Sequence, residues 1–352
     1  MEYRNLGKSG LKVSKMCLGG LEYGGRISEE ESVKLIQEAH ELGINFFDTS
    51  VVYPSSDKGA SERAIGKAIK GHRNEYVVGS KVYGTTGTWP NDVGLSRKHI
   101  MDSCEMTLRN LDSDYVDIFY THFPDPSVPL DETLRTLDDL VRQGKVRYIG
   151  CSNYTAWQLA EALSMSEFHD WEKYIVVQSP YNLLTRDIEI ELLNYANEKG
   201  IGVCAYAPMA SELLSGHYEF GKEPTEGRMA DKSYGAFNRA IYWNEANFKA
   251  IEAFKKCADD CGLTMPQFSL AFVMSKVTAA ISGPINSQML KENVSACDVV
   301  LPPEAFEVAD DVWEMFRVPR KFYAQDGNSR ESRGRWGWER DKGVMNKTAS
   351  DK

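Results

Sequence analysis

No apolar run in these 352 residues approaches the roughly 18 that a membrane span requires. A basic surplus is missing too. The chain carries 41 Lys and Arg against 51 Asp and Glu, a formal net of −10, whereas general nucleic-acid binding needs the opposite sign. The seven cysteines are odd in number, scattered and free of any CxxC. With no signal-peptide pattern they read as reduced thiols of a cytoplasmic protein, and no metal site is expected. Neither GxGxxG nor GxxxxGK[ST] occurs, so an open dinucleotide-binding sheet lacks its usual mark.

What is present is core material in a regular rhythm. Hydrophobic residues make up 42% and charged residues 26%, an ordinary soluble balance, with length for one large α/β domain or two smaller ones. The first candidate strand is Met16 to Gly20. Ser28 with Glu31 then forms a capping box, and Leu35, Ala39 and Leu42 give the helix one apolar stripe. INFFD (44–48) is the second strand, followed by a helix from about Ser61. YVVGSK (76–81), YVDIFYTH (115–122), VRYIGCSN (146–153), YIVVQ (174–178), GVCAYAP (202–208) and TAAISG (278–283) complete the set. Eight strand-then-helix units in about 280 residues fit an α/β fold of the (β/α)8 TIM barrel type. Continuous apolar runs suit parallel strands buried on both faces. Residues 1–14 read as a β-hairpin around Lys8-Ser9-Gly10, placed to plug the barrel bottom. A long loop, 211–243, follows strand seven on the face where such barrels carry catalytic loops.

The strand ends hold the chemistry. Asp48 ends strand two with Tyr53 just beyond, Lys81 ends strand three and His122 ends strand four. Ser152-Asn153, Gln178 and Tyr206 end strands five, six and seven. Each residue alone has a plainer role as a cap, a surface group or packing. Together they suit a general acid. A phenol of pKa about 10 is a poor acid near neutrality, and a nearby ammonium lowers that pKa. Asp48 keeps Lys81 charged, and His122 reaches the same carbonyl oxygen. Such a set protonates an alkoxide as hydride reaches carbon.

Residues 1–316 resemble the aldo-keto reductases. Asp48, Tyr53, Lys81 and His122 match that family's catalytic tetrad in type, order and strand position. GCSNY (150–154), VVQSPYN (176–182), AYAPMASELLSGHY (205–218) and ISGPINSQMLKENV (281–294) are similar to further family motifs. GLSRKHI (94–100) resembles the branch holding potassium-channel β subunits and bacterial glyceraldehyde-phosphate reductases. The resemblance implies an NAD(P)(H)-dependent enzyme interconverting a small or sugar-derived aldehyde or ketone and its alcohol. Its alternative is a cofactor-binding regulatory protein with little turnover. It implies that Ser152, Asn153 and Gln178 bind the nicotinamide carboxamide, that Tyr206 stacks on the ring, and that Gly20, Asp48, Pro208, Met209 and Gly283 also touch the cofactor. Glu292 and Asn293 keep the adenine pattern.

Departures occur at the 2′-phosphate end. Ile285 and Met289 stand where basic or polar groups are usual, with Asn286 between them, and His217 replaces a lysine. Arg228 is the remaining cation for a 2′-phosphate, or else an ordinary solvated arginine. NADP is the expected cofactor, with NAD open. Tyr23, Trp89 and Phe123, with Met209, are candidate substrate-pocket walls. From Arg317 to Lys352 the balance turns to ten Lys and Arg against five Asp and Glu. This separate tail carries Trp336 and Trp338. It is expected to dock on protein and to support a homo-oligomer.

Overall fold

A computed structural model of the chain describes residues 1–316. Tyr3–Asn5 (β1) and Lys12–Ser14 (β2) pair antiparallel. At their turn Leu6 is fully buried in the same cluster as Phe46, Ile118 and Val176 of the barrel. The Lys8 amide donates to the Gly200 carbonyl at 2.7 Å. The hairpin therefore seals the barrel end that lies away from the strand C-termini.

Eight parallel strands follow: β3 (Met16–Gly19), β4 (Phe46–Asp48), β5 (Val77–Val82), β6 (Val116–Thr121), β7 (Val146–Ser152), β8 (Tyr174–Pro180), β9 (Gly202–Tyr206) and β10 (Ala279–Ser282). β10 pairs with both β9 and β3, closing a barrel in chain order. The (β/α)8 barrel expected from the strand rhythm is thus the observed fold. Its interior is packed, as such barrels are. The buried Tyr120 ring occupies space beside two strands that lack a side chain there. A Cβ at Gly79 would lie 2.9 Å from it and one at Gly150 2.6 Å. Five of the seven cysteines are buried, and Cys257 and Cys261 are partly exposed.

Helices α1 (Glu29–Glu41), α2 (Ala60–Ala68), α3 (Arg97–Leu111), α4 (Leu130–Arg142), α5 (Ala156–His169) and α6 (Leu192–Lys199) return the chain after β3 to β8. The capping box at Ser28 forms as the spacing predicts: the Glu31 amide donates to Ser28 Oγ and the Glu31 carboxylate accepts from the Ser28 amide. The segment after β9 is more ordered than a loop. It carries α7 (Gly235–Tyr242) before α8 (Glu245–Asp260) and α9 (Met265–Lys276) lead to β10. α10 (Ser287–Ser295) and α11 (Pro303–Phe316) complete the helices among the described residues. No described helix is long and apolar enough to cross a membrane, and no described cluster of acids, Cys and His has the makings of a metal site. The tail with Trp336 and Trp338, and the oligomer expected from it, lie outside the described residues.

Candidate active site

Parallel register brings the ends of β4, β5 and β6 side by side, with Asp48 opposite Gly79 and Lys81 opposite Tyr120. Lys81 Nζ donates to Asp48 Oδ2 at 2.5 Å and to the Thr49 carbonyl at 2.7 Å. Both partners of the ion pair are buried. The ammonium stands 5.0 Å from the centre of the Tyr53 ring. The Tyr53 hydroxyl lies 3.2 Å from His122 Nε2. Four side chains from three neighbouring strand ends and their loops therefore form one contact group.

The surroundings tune them unequally. Burial pushes Lys81 down, but Asp48 beside it outweighs this and holds the ammonium above its ordinary range. Burial lowers His122 to about 3, assisted by the Lys81 charge, so the imidazole is neutral at ordinary pH. The phenol departs from expectation. Burial raises the pKa of Tyr53, and the opposing pull of Lys81 does not overcome it. The ammonium limits the rise rather than producing a phenol below the usual value.

On the other flank Gln178 donates to Asp48 Oδ1 at 2.9 Å. Asn153 adopts φ 62°, a left-handed conformation that Asn tolerates better than most residues. Its amide donates to the His122 carbonyl at 2.9 Å and to Ser152 Oγ at 3.1 Å, and accepts from the Tyr206 hydroxyl at 2.8 Å. Ser152, Asn153, Gln178 and Tyr206 are therefore locked to one another or to the tetrad before any ligand arrives. Gly20 belongs here too: its amide donates to the Asp48 carbonyl at 2.7 Å.

Beyond β9 and β10 a cavity of about 550 Å³ opens, lined by Pro208, Met209, Arg228, Gly283, Met289, Glu292 and Asn293 among others. Its lining begins at Ala207 and Pro208, directly after Tyr206 in the chain. Arg228 is not a free cation. Its Nε donates to Glu22 Oε1 at 2.8 Å, and the same carboxylate takes a second bond from Nη2. Arg26 joins the cluster through Glu212 at 3.2 Å. Asn286 does not line the cavity. It caps α10, its Oδ1 accepting from the Met289 amide at 2.9 Å.

The Aldo/keto reductase family pattern matches residues 15–314. The chain belongs to the aldo/keto reductase family. It is 35% identical over 308 residues, 85% of this chain and 92% of the relative, to a protein of Arabidopsis thaliana named "Probable voltage-gated potassium channel subunit beta". An Oryza sativa protein of the same name is 34% identical over 322 residues, covering 89% and 96% of the two chains. An aldo-keto reductase of Fusarium vanettenii is 31% identical over 329 residues, covering 84% and 86%. Family membership supports an oxidoreductase that uses NAD(P)H. The residues present fit such a cofactor. The partly exposed Tyr206 ring, its hydroxyl tethered, offers a face for a flat ring, and the adjoining cavity carries Arg228, Lys255 and His217 for phosphates.

The three residues expected to wall a substrate pocket separate. Phe123 stacks on His122 with centroids 5.0 Å apart and is 43% exposed, so it borders the site. Trp89 is 76% exposed, and no described contact joins its ring to the tetrad. Tyr23 is wholly buried, its hydroxyl unpartnered among the described residues. It is not a wall of the cleft as the structure stands, because the loop after β3 folds it inward. Other residues of the site went unnoticed in the sequence. Lys255 lies on α8, far from any strand end. Glu22 contacts a residue 206 positions away, a pairing no local pattern announces.

Proposed function

We propose that this aldo/keto reductase interconverts a small aldehyde or ketone and its alcohol, with Tyr53 as the general acid. The observation that carries the reading is the Tyr53 hydroxyl, 3.2 Å from a neutral imidazole and backed by a buried ammonium. When bound, NAD(P)H supplies the hydride. The carbonyl oxygen sits against the Tyr53 hydroxyl and His122 Nε2. As the C=O π electrons move onto that oxygen, Tyr53 gives it a proton and becomes phenolate. Lys81 stabilises the phenolate, and Asp48 keeps Lys81 charged and aimed. His122, being neutral, orients the oxygen without supplying charge. Ser152, Asn153 and Gln178 bind the carboxamide through donors and acceptors that their mutual bonds leave spare. Phe123 contributes an apolar wall.

The preferred cofactor is NADP(H), by a modest margin. Arg228 is shared with Glu22, so charge available to a 2′-phosphate is limited. The direct test is purified protein with NADPH or NADH and a panel of aldehydes, ketones and alcohols, followed at the reduced-cofactor absorbance. Turnover is expected. A second reading is favoured by the names of the plant relatives: a cofactor-binding subunit that regulates a partner. Cofactor binding without turnover of any carbonyl or alcohol in the panel decides for it.

A further inference from the structure

Two consecutive residues of α2 bond, from outside the barrel, to the Tyr53 backbone and to Thr49 and Ser80, the chain neighbours of Asp48 and Lys81. Side chains alternate along a strand, so where Asp48 and Lys81 point inward, Thr49 and Ser80 point out toward the helix layer. Ser61 Oγ accepts from Thr49 Oγ1 at 2.7 Å. The carbonyl of that same Thr49 accepts from the Lys81 ammonium at 2.7 Å. The Ser61 amide donates to the Tyr53 carbonyl at 3.2 Å. Next along the helix, Glu62 Oε1 accepts from Ser80 Oγ at 2.6 Å. Every residue of this layer, Thr49, Ser61, Glu62 and Ser80, is fully buried.

Glu62 is the unusual member. It is a buried carboxylate with no cation bonded to it. Instead Thr107 Oγ1 donates to Oε1 at 2.7 Å and Asn110 Nδ2 to Oε2 at 2.7 Å. Three neutral donors converge on its two oxygens, and burial still raises its pKa above the usual carboxylate range. A buried carboxylate is costly unless its acceptors are filled, and here the filling ties α2, α3 and β5 into one unit directly behind Lys81. The helix also approaches the first strand closely: a Cβ at Gly20 would lie 2.4 Å from Ser61 Oγ. This layer cannot shift without moving the residues in front of it.

We propose that Ser61 and Glu62 are positioning residues, setting the Lys81 ammonium at its fixed place between Asp48 and the Tyr53 ring. The proposal rests on Tyr53 being the general acid. It predicts an effect on the chemical step and not on ligand binding, because neither residue reaches the cleft. A misplacement of the order of 1 Å at a reacting group costs about a hundredfold, and loosening this layer moves Lys81 by less.

The test uses Ser80→Ala, Ser61→Ala, Glu62→Gln and Glu62→Ala in the full chain, with Tyr53→Phe alongside. Ser80→Ala and Glu62→Ala are expected to lower kcat roughly three- to thirtyfold, less than that hundredfold. KM is expected to stay within about twofold, with the alkaline limb of the kcat–pH profile displaced. Glu62→Gln is expected to retain most of the rate. Its carbonyl serves Ser80 and Thr107, and Asn110 can turn its amide to accept. Folding is checked by circular dichroism and thermal melting, and Ser80→Ala, which removes one oxygen, is the variant expected to fold without difficulty. If folded Ser80→Ala and Ser61→Ala keep wild-type kcat and pH profile while Tyr53→Phe is inactive, the positioning role is wrong and the acid stands. If Tyr53→Phe is itself fully active, the underlying reading fails first.

Discussion

Around Lys81 the ion pair with Asp48 is buried and bonded on both sides, whereas across the mouth, beyond β9, the cations stand in or near solvent. Lys81 and Asp48 are almost fully excluded from water. Lys255 is exposed, and Arg228 is partly so. The physics of the two ends differs accordingly. In a low-dielectric pocket an ion pair is strong and its loss severe. Near the surface, charges are screened and each contributes modestly. On the proposed reading, reaction chemistry belongs to the first end and cofactor preference to the second.

The largest effect is expected at the buried end. Tyr53→Phe should lower kcat about 100- to 10,000-fold and leave cofactor affinity, read by fluorescence titration, within a few-fold. A variant keeping more than half the wild-type kcat, with chemistry shown rate-limiting, removes Tyr53 as the acid. Lys81→Met should be nearly as damaging and should also destabilise the fold by about 3–5 kcal/mol, since Asp48 is left charged and unpaired. Chemical denaturation measures the second effect separately. Lys81→Arg should fold but show an altered pH profile, because a planar guanidinium cannot occupy the ammonium's place. An unaltered rate and profile in both variants would take Lys81 out of the mechanism.

The pH profile sharpens the contrast. A general acid works while protonated, and the Tyr53 pKa is raised. The reduction rate should therefore stay level through neutrality and fall only above the ordinary phenol range. Alcohol oxidation, which needs phenolate, should rise over that same alkaline interval. His122, lowered to about 3 from 6.5, should contribute no limb near neutrality. A limb near 6.5 that disappears in His122→Asn would contradict this assignment. The exposed end should respond weakly. NADPH and NADH are expected to differ by less than roughly a hundredfold in kcat/KM, the worth of one or two charged contacts. Arg228→Ala should penalise NADPH alone. Smallest of all, Glu22→Gln should release Arg228 and improve NADPH affinity a few-fold, a gain that shrinks as salt rises. Loss with both cofactors in Arg228→Ala would put that arginine outside any 2′-phosphate contact.

The same contrast explains what was legible in the sequence. Strand ends were readable because apolar runs such as INFFD stop at a polar residue, and closing a barrel gathers all those ends at one mouth. The mutual positions of Asp48, Tyr53, Lys81 and His122 follow from that rule. Contacts between distant loops do not. Glu22 and Arg228 meet because two excursions from the barrel happen to cross, and nothing in either neighbourhood announces it. Asn286 was legible in another way: its place just before Ser287–Ser295 marks a helix cap by ordinary spacing. Tyr23 misled because membership of a loop says nothing about which way a side chain turns. The sign of the Tyr53 shift was missed because sequence reveals charged neighbours more readily than the depth of burial opposing them.

The barrel's cysteines carry a last consequence. Carbonyl compounds of the kind proposed as substrate are electrophiles, and unsaturated ones alkylate thiols. The attacking species is the thiolate. Cys17, Cys151 and Cys204 sit on barrel strands, buried, and burial pushes all three thiols up. They are shut off twice, by access and by protonation. An enzyme built this way can meet reactive aldehydes at its mouth without its own framework being modified. In the native protein, thiol reagents should find Cys257 and Cys261 at the end of α8 well before any of those three.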